Sequence, residues 1–171
     1  MPRDIIITMP LKNILSSTHL FLPSESHLAF KFRVLNYFML VAVVFGLLVS
    51  VLGSLDIMKT GMQQSVVIFI YSLINLALVW YLRQHKSHFI SVAWIAVLAS
   101  FLLYIIAFIN VSIDEARIVW FSILVYIAYM LLSIRAGIVF TLLTIVIVIV
   151  GNSTMDLKIS ETAIAKSLIA L

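Results

Sequence analysis

The stretch VLNYFMLVAVVFGLLVSVLGSL at residues 34–55 contains no charged side chain. As an α-helix rising about 1.5 Å per residue it reaches about 33 Å, enough to cross a hydrocarbon layer of roughly 30 Å. A run of that length decides the fold class, because a bilayer accepts only segments that satisfy their own backbone hydrogen bonds. The rest of the chain reads the same way. Of its 171 residues 64% are hydrophobic and 11% charged, and mean hydropathy is +1.21. Soluble domains are roughly 45–50% apolar and about 25% charged. The expected fold is therefore all-α, a polytopic transmembrane helix bundle.

Outward from that first span, further apolar segments alternate with short polar connections. Asp56 to Gln64 forms a polar link, followed by a second span at 65–82 that ends in Trp80 and Tyr81. Aromatic rings of that kind settle at membrane interfaces. The loop Arg83-Gln84-His85-Lys86-Ser87-His88 is too polar for lipid, and 89–111 is the third span. Ser112 to Arg117 leads to a fourth at 118–132, and Ser133-Ile134-Arg135 turns into a fifth at 136–150. The β-branched run Ile145 to Val150 fits a buried strand in water, but among membrane spans it is expected to be helix. Residues 162–171 begin a further apolar stretch that contains Lys166 and covers about half a membrane thickness. It reads as the start of a sixth span cut short at Leu171, or as a partial interfacial helix. The expectation is five complete spans plus the start of a sixth, together a bundle over 34–171.

Residues 1–33 form an N-terminal segment with an Ile5-Ile6-Ile7 patch, three prolines and four basic residues. The patch is too short for a signal peptide, has Asp4 beside it and is followed by no small-residue cleavage site. Ser24-Glu25-Ser26 is a candidate cap for a short interfacial helix that lays Leu28, Phe30 and Phe32 near the bilayer surface.

With five spans, one side of the membrane collects Arg3, Lys12, Lys31, Arg33, Arg83, Lys86 and Arg135. The other has Lys59, Arg117 and Lys158. The excess of basic residues assigns the first side to the cytoplasm, so a cell-membrane protein with a cytoplasmic N-terminus is expected. Asp56, Asp114, Glu115, Asp156 and Glu161 fall on the opposite side. Although the net charge is +4, the basic residues are scattered singly between spans, which argues against nucleic acid as a partner. The absence of cysteine removes disulfides and thiolate chemistry.

Chemistry has few footholds. The five spans hold no Asp, Glu, Lys, Arg or His, which argues against ion-coupled transport. Their interior polar residues are Asn36, Ser50, Ser72, Asn75, Ser100, Asn110, Thr141 and Thr144, suited to hydrogen bonds between helices or to the wall of a ligand cavity. Gly46 and Gly53, seven apart, share a helix face open to close packing. His85 and His88 are three apart in a loop and lack a carboxylate or cysteine partner, so a metal there is disfavoured against a solvated loop. No phosphate loop, zinc-protease motif or nucleophile elbow occurs, and neither a metal nor a cofactor is expected. The densest polar constellation is Asn110, Asp114, Glu115, Arg117 and Trp120 at the outer end of spans three and four. It reads either as a helix cap with Asp114 and Arg117 paired at i,i+3 and an aromatic anchor, or as an extracytoplasmic recognition site with Arg117 clamping an anion.

Three pieces carry a family resemblance: FRVLN at 32–36, YLRQHKSHF at 81–89 and SIDEARIVWFSILVYIAYML at 112–131. They resemble the N-terminal six-helix membrane sensor regions of bacterial GGDEF diguanylate cyclases, and less closely those of membrane histidine kinases. The most specific piece is D-x-x-R-x-x-W-F, here Asp114, Arg117, Trp120 and Phe121. The resemblance implies a sensory and dimerisation module, a homodimer responding to a small-molecule or membrane-derived signal, that regulates a cytoplasmic cyclase output and so cyclic di-GMP. The catalytic domain and its GGDEF motif are not in these residues. The alternative is a small stand-alone multi-pass protein, a structural subunit or a facilitator for a neutral solute.

Overall fold

The computed structural model describes residues 23–55, 57, 62–110 and 117–154, with the side chains of Pro23, Asn110, Arg117, Ile118, Asn152 and Thr154 outside that description. The candidate sixth span at 162–171 and the segment 1–22 therefore lie outside the described residues. What is described is helical apart from the short turns between helices. Helix α1 is Ser26–Ser54, α2 Met62–Gln84, α3 Phe89–Asn110, α4 Arg117–Leu131 and α5 Ile134–Thr154. Single 3-10 turns at Pro23–Glu25 and Lys86–His88 precede α1 and α3. No strand occurs among the described residues, so the β-branched run of α5 is helix, as expected.

No proline follows Pro23, so nothing in the spans removes a backbone donor. The breaks come from polar turns. Between α4 and α5 the backbone N–H of Leu132 closes on the Ala128 carbonyl at 3.0 Å. Ser133 then caps α5, its Oγ accepting the Ala136 N–H at 3.2 Å. That cap starts α5 at Ile134 rather than at 136.

Helix α1 also begins earlier than the span at 34–55, and residues 24–33 form no separate interfacial helix. The physical reason lies in Phe32, which is fully buried and stacks on Phe89 with ring centroids 4.7 Å apart. Packing against α3 carries the helix through Arg33 into the apolar run, while Phe30 stays exposed.

The helices pack as antiparallel neighbours in chain order, most extensively α1 on α2. Near the α2–α3 turn, Phe32, Leu35, Met39, Leu82, Phe89, Val92 and Leu131 form one core. Toward the opposite end, Phe101, Phe108, Phe121, Leu124, Phe140 and Val148 form a second. Helix α4 contributes Phe121 to one and Leu131 to the other, so it runs along most of α3.

Polarity is inverted relative to a soluble bundle. Asn36, Ser50, Gln64, Ser65, Ser72, Asn75, Ser100 and Thr144 are buried, whereas Val44, Leu48, Val51, Ile70, Leu102 and Leu142 lie outside. Such a surface suits lipid, with the interior amides and hydroxyls joining helices. Ser50 Oγ donates to the Ser65 carbonyl at 2.8 Å, tying α1 to α2. The hydroxyl of Tyr71 and that of Ser100 are 2.8 Å apart, tying α2 to α3. The described helices α1, α2, α3 and α5 are long and apolar enough to cross a membrane, and α4 contributes a shorter apolar helix at Val119–Leu131. The chain is a multi-pass membrane protein by length, composition and this inverted surface.

Candidate functional site: an apolar cleft between two hairpins

Helices α1 and α2 form one tight hairpin, and α3 and α4 form the next. The first hairpin closes because Gly46 brings α1 onto α2, where a side chain at position 46 would run into Ser72 Oγ. The second closes through aromatic edges, with Phe121 against Phe101 at 5.8 Å and against Phe108 at 6.0 Å. Contact between α1 and α4 is much sparser than within either hairpin. The space left between them is a cleft of about 260 Å³ in the half of the bundle remote from the α2–α3 turn.

Phe38, Phe45 and Gly46 of α1 line it, with Gln64, Ile68 and Tyr71 of α2, Tyr104 and Ala107 of α3, and Trp120 of α4. Trp120 stands beside both α1 and α3, its ring 6.4 Å from Phe45 and 6.3 Å from Tyr104. Carbon makes up most of the wall. The main polar feature is Gln64, only 4% exposed, whose Oε1 accepts no hydrogen bond from the described residues. Deeper in, Ser100 donates to the Ala96 carbonyl at 2.8 Å while also meeting the Tyr71 hydroxyl. Asn75 donates from Nδ2 to the Tyr71 carbonyl at 2.9 Å. The described wall holds no carboxylate, imidazole or ammonium group, so its chemistry is that of binding: an apolar body is admitted, and the Gln64 amide has to turn before its shielded Oε1 can meet a donor in the cleft.

Of the five residues expected to form an outer site, Trp120 alone has a described side chain, and it lines this cleft. Asp114 and Glu115 lie outside the described residues, as do the side chains of Asn110 and Arg117, although α3 ends at Asn110 and α4 begins at Arg117. Sequence reasoning placed Gln64 in the polar connection and so missed it. A signal was present: Gln64, Tyr71 and Asn75 stand at i, i+7 and i+11, a polar stripe along one face of an apolar helix.

The two loop histidines are brought together, with ring centroids 5.6 Å apart. Both are engaged with Tyr81. Its hydroxyl is 3.0 Å from His88 Nδ1, and its ring stacks on His85 at 4.6 Å. No group of three or more potential metal ligands occurs among the described residues.

Searches against protein-family models, curated proteins and solved structures find no match to this chain.

Proposed function

We propose that the chain is a membrane-embedded sensory module whose cleft receives an apolar ligand carrying a hydrogen-bond donor. The observation that carries this reading is Gln64: a shielded acceptor without a partner among the described residues, in the wall of an otherwise apolar cleft. An unmet buried acceptor costs about 1–3 kcal/mol, and a ligand N–H or O–H meets that need, once the Gln64 amide turns toward the cleft, where a lipid tail does not. Entry of such a ligand separates the α1–α2 hairpin from the α3–α4 hairpin. Because α5 packs on α4, that separation moves α5 and the chain beyond it, giving two arrangements of unequal ligand affinity.

In the finer form of the proposal the bundle crosses the membrane five times, with α4 as the short crossing and the basic end in the cytoplasm. It acts as a homodimer upstream of a diguanylate cyclase. The position of Leu131 beside Phe32 and Phe89 supports α4 as a crossing, and the seven-to-three division of basic residues supports the orientation. The output rests on the family resemblance. Reading the coding sequence past the Leu171 codon tests it, since a stop codon there defeats a fused cyclase.

Ligand entry is tested in nanodiscs with a variant that keeps Trp120 and replaces Trp80 and Trp94 by Phe. Bromoundecanol is expected to quench Trp120 saturably, at a concentration roughly two- to ten-fold lower than bromoundecane, which matches one hydrogen bond. Gln64→Leu is expected to abolish the difference. Quenching that rises linearly for both probes, as for simple partitioning into lipid, defeats the proposal.

A further inference from the structure

At the opposite end of the bundle lies a second, wider cleft of about 790 Å³ between the start of α1 and the α2–α3 turn. Its wall includes the carboxylate Glu25 with His27, Lys31, Gln84, Lys86 and Ile90. All five cations whose side chains are described, Lys31, Arg33, Arg83, Lys86 and Arg135, stand at this end, against a single described carboxylate, Glu25. Glu25 pairs with Lys86 at 2.8 Å. Lys31 donates to the Leu131 carbonyl at 3.3 Å, a neutral acceptor that leaves its charge uncompensated by any carboxylate among the described residues. Ile90 is 59% exposed and Trp94, one turn along α3, is 39% exposed, so an apolar track leads from this cleft along the lipid-facing surface.

We propose that this cleft binds the phosphate of an anionic phospholipid, with Lys31 and Lys86 facing the headgroup and one acyl chain lying along Ile90 and Trp94. The volume falls in the roughly 300–1,000 Å³ range of ligand pockets. Excess positive charge at a helix-bundle end, next to an apolar track, is the complement of a lipid that is anionic at one end and hydrocarbon at the other. Zwitterionic lipid offers the same chains without the net charge. The inference depends on membrane embedding and not on the ligand cleft between the hairpins, so either can fail without the other.

The test uses the full chain in detergent with equal amounts of phosphatidylglycerol and phosphatidylcholine, and native mass spectrometry to count which lipid is retained. Wild type is expected to retain phosphatidylglycerol preferentially. The preference falls roughly five-fold for each lysine removed in Lys31→Gln and Lys86→Gln, and Arg135→Gln, outside the cleft, leaves most of it. Glu25→Gln removes the competing carboxylate and is expected to raise the preference, a change that misfolding does not produce. Equal retention of the two lipids by wild type overturns the proposal, as does a loss in Arg135→Gln matching the lysine variants or a lowered preference in Glu25→Gln. Displacement of the lipid by millimolar inorganic phosphate makes the occupant a free anion and overturns the lipid assignment.

Discussion

Phe121→Ala is expected to lower the stability of the bundle by about 2–3 kcal/mol, while Trp120→Ala, its immediate neighbour, changes it by less than about 1 kcal/mol. Phe121 is fully buried and Trp120 is 41% exposed. The Phe121 ring meets Phe101, Tyr104 and Phe108 edge-on, at centroid distances of 5.8, 6.1 and 6.0 Å. Truncating a phenylalanine in a soluble core costs about 3–5 kcal/mol, part of it the loss of transfer out of water. Within hydrocarbon that part is reduced, because a lipid tail is as apolar as the protein interior. What remains is the void, at roughly 24 cal/mol per Å³ over about 100 Å³, and the aromatic edges. Unfolding by titration with sodium dodecyl sulfate, followed by far-ultraviolet circular dichroism, measures both variants. Equal losses for the two would place Phe121 at a lipid-facing position and contradict the packing described above.

The same pair of residues shows what the sequence discloses and what it hides. Composition and the uncharged run at 34–55 disclose the class, since backbone in lipid has few alternatives to helix. The expected spans at 65–82 and 89–111 lie within a few residues of α2 and α3 for the same reason. Burial of Asn36, Ser50, Ser72, Asn75, Ser100 and Thr144 follows from a rule equally simple, that an amide or hydroxyl turns away from hydrocarbon. Which large apolar residue faces inward is another matter. In water Phe121 and Trp120 differ in how much surface they hide, but in a membrane both neighbours are apolar, so periodicity loses its contrast.

Helix ends are also obscure where packing sets them. The residues at 24–33 carry capping and charge signals suited to a separate surface helix, and the contact that overrides them, Phe32 on Phe89, joins positions far apart in the chain. Gln64 was hidden differently. It closes the connection that starts at Asp56 and carries Lys59, Gly61 and Gln63, which reads as loop, and its place on the inner face of α2 emerges only when Tyr71 and Asn75 are seen on the same stripe. The outer constellation at 110–120 was legible as a concentration of charge, and the structure attaches its Trp120 to a cleft whose other walls come from three helices.

Gly46→Ile is expected to open the α1–α2 hairpin, costing about 3 kcal/mol, while Gly46→Ala is nearly neutral and Gly46→Ala with Ser72→Ala recovers whatever the single alanine loses. The side chain added at position 46 first meets Ser72 Oγ, while Ser72 Cβ and Ile68 Cγ2 lie at an ordinary 3.6 Å. Ser72 Oγ is held in place by donating to the Ile68 carbonyl at 2.9 Å. A lone methyl is accommodated if that hydroxyl turns away, at the cost of about 0.6 kcal/mol for one hydrogen bond within the membrane. Removing the hydroxyl removes the obstacle, so the double variant should show a favourable coupling of that size. Isoleucine has no such escape. Its two γ carbons leave few χ1 choices in a helix, so one branch meets α2 whenever the other turns into the cleft. Gly46→Ile should therefore also lose saturable quenching of Trp120 by bromoundecanol, since Gly46 lines that cleft. Detergent titration reads the stability and the quenching assay reads the cleft. An isoleucine variant as stable as wild type would mean that α1 and α2 do not meet at Gly46, and with that the hairpin which forms one wall of the cleft would have to be redrawn.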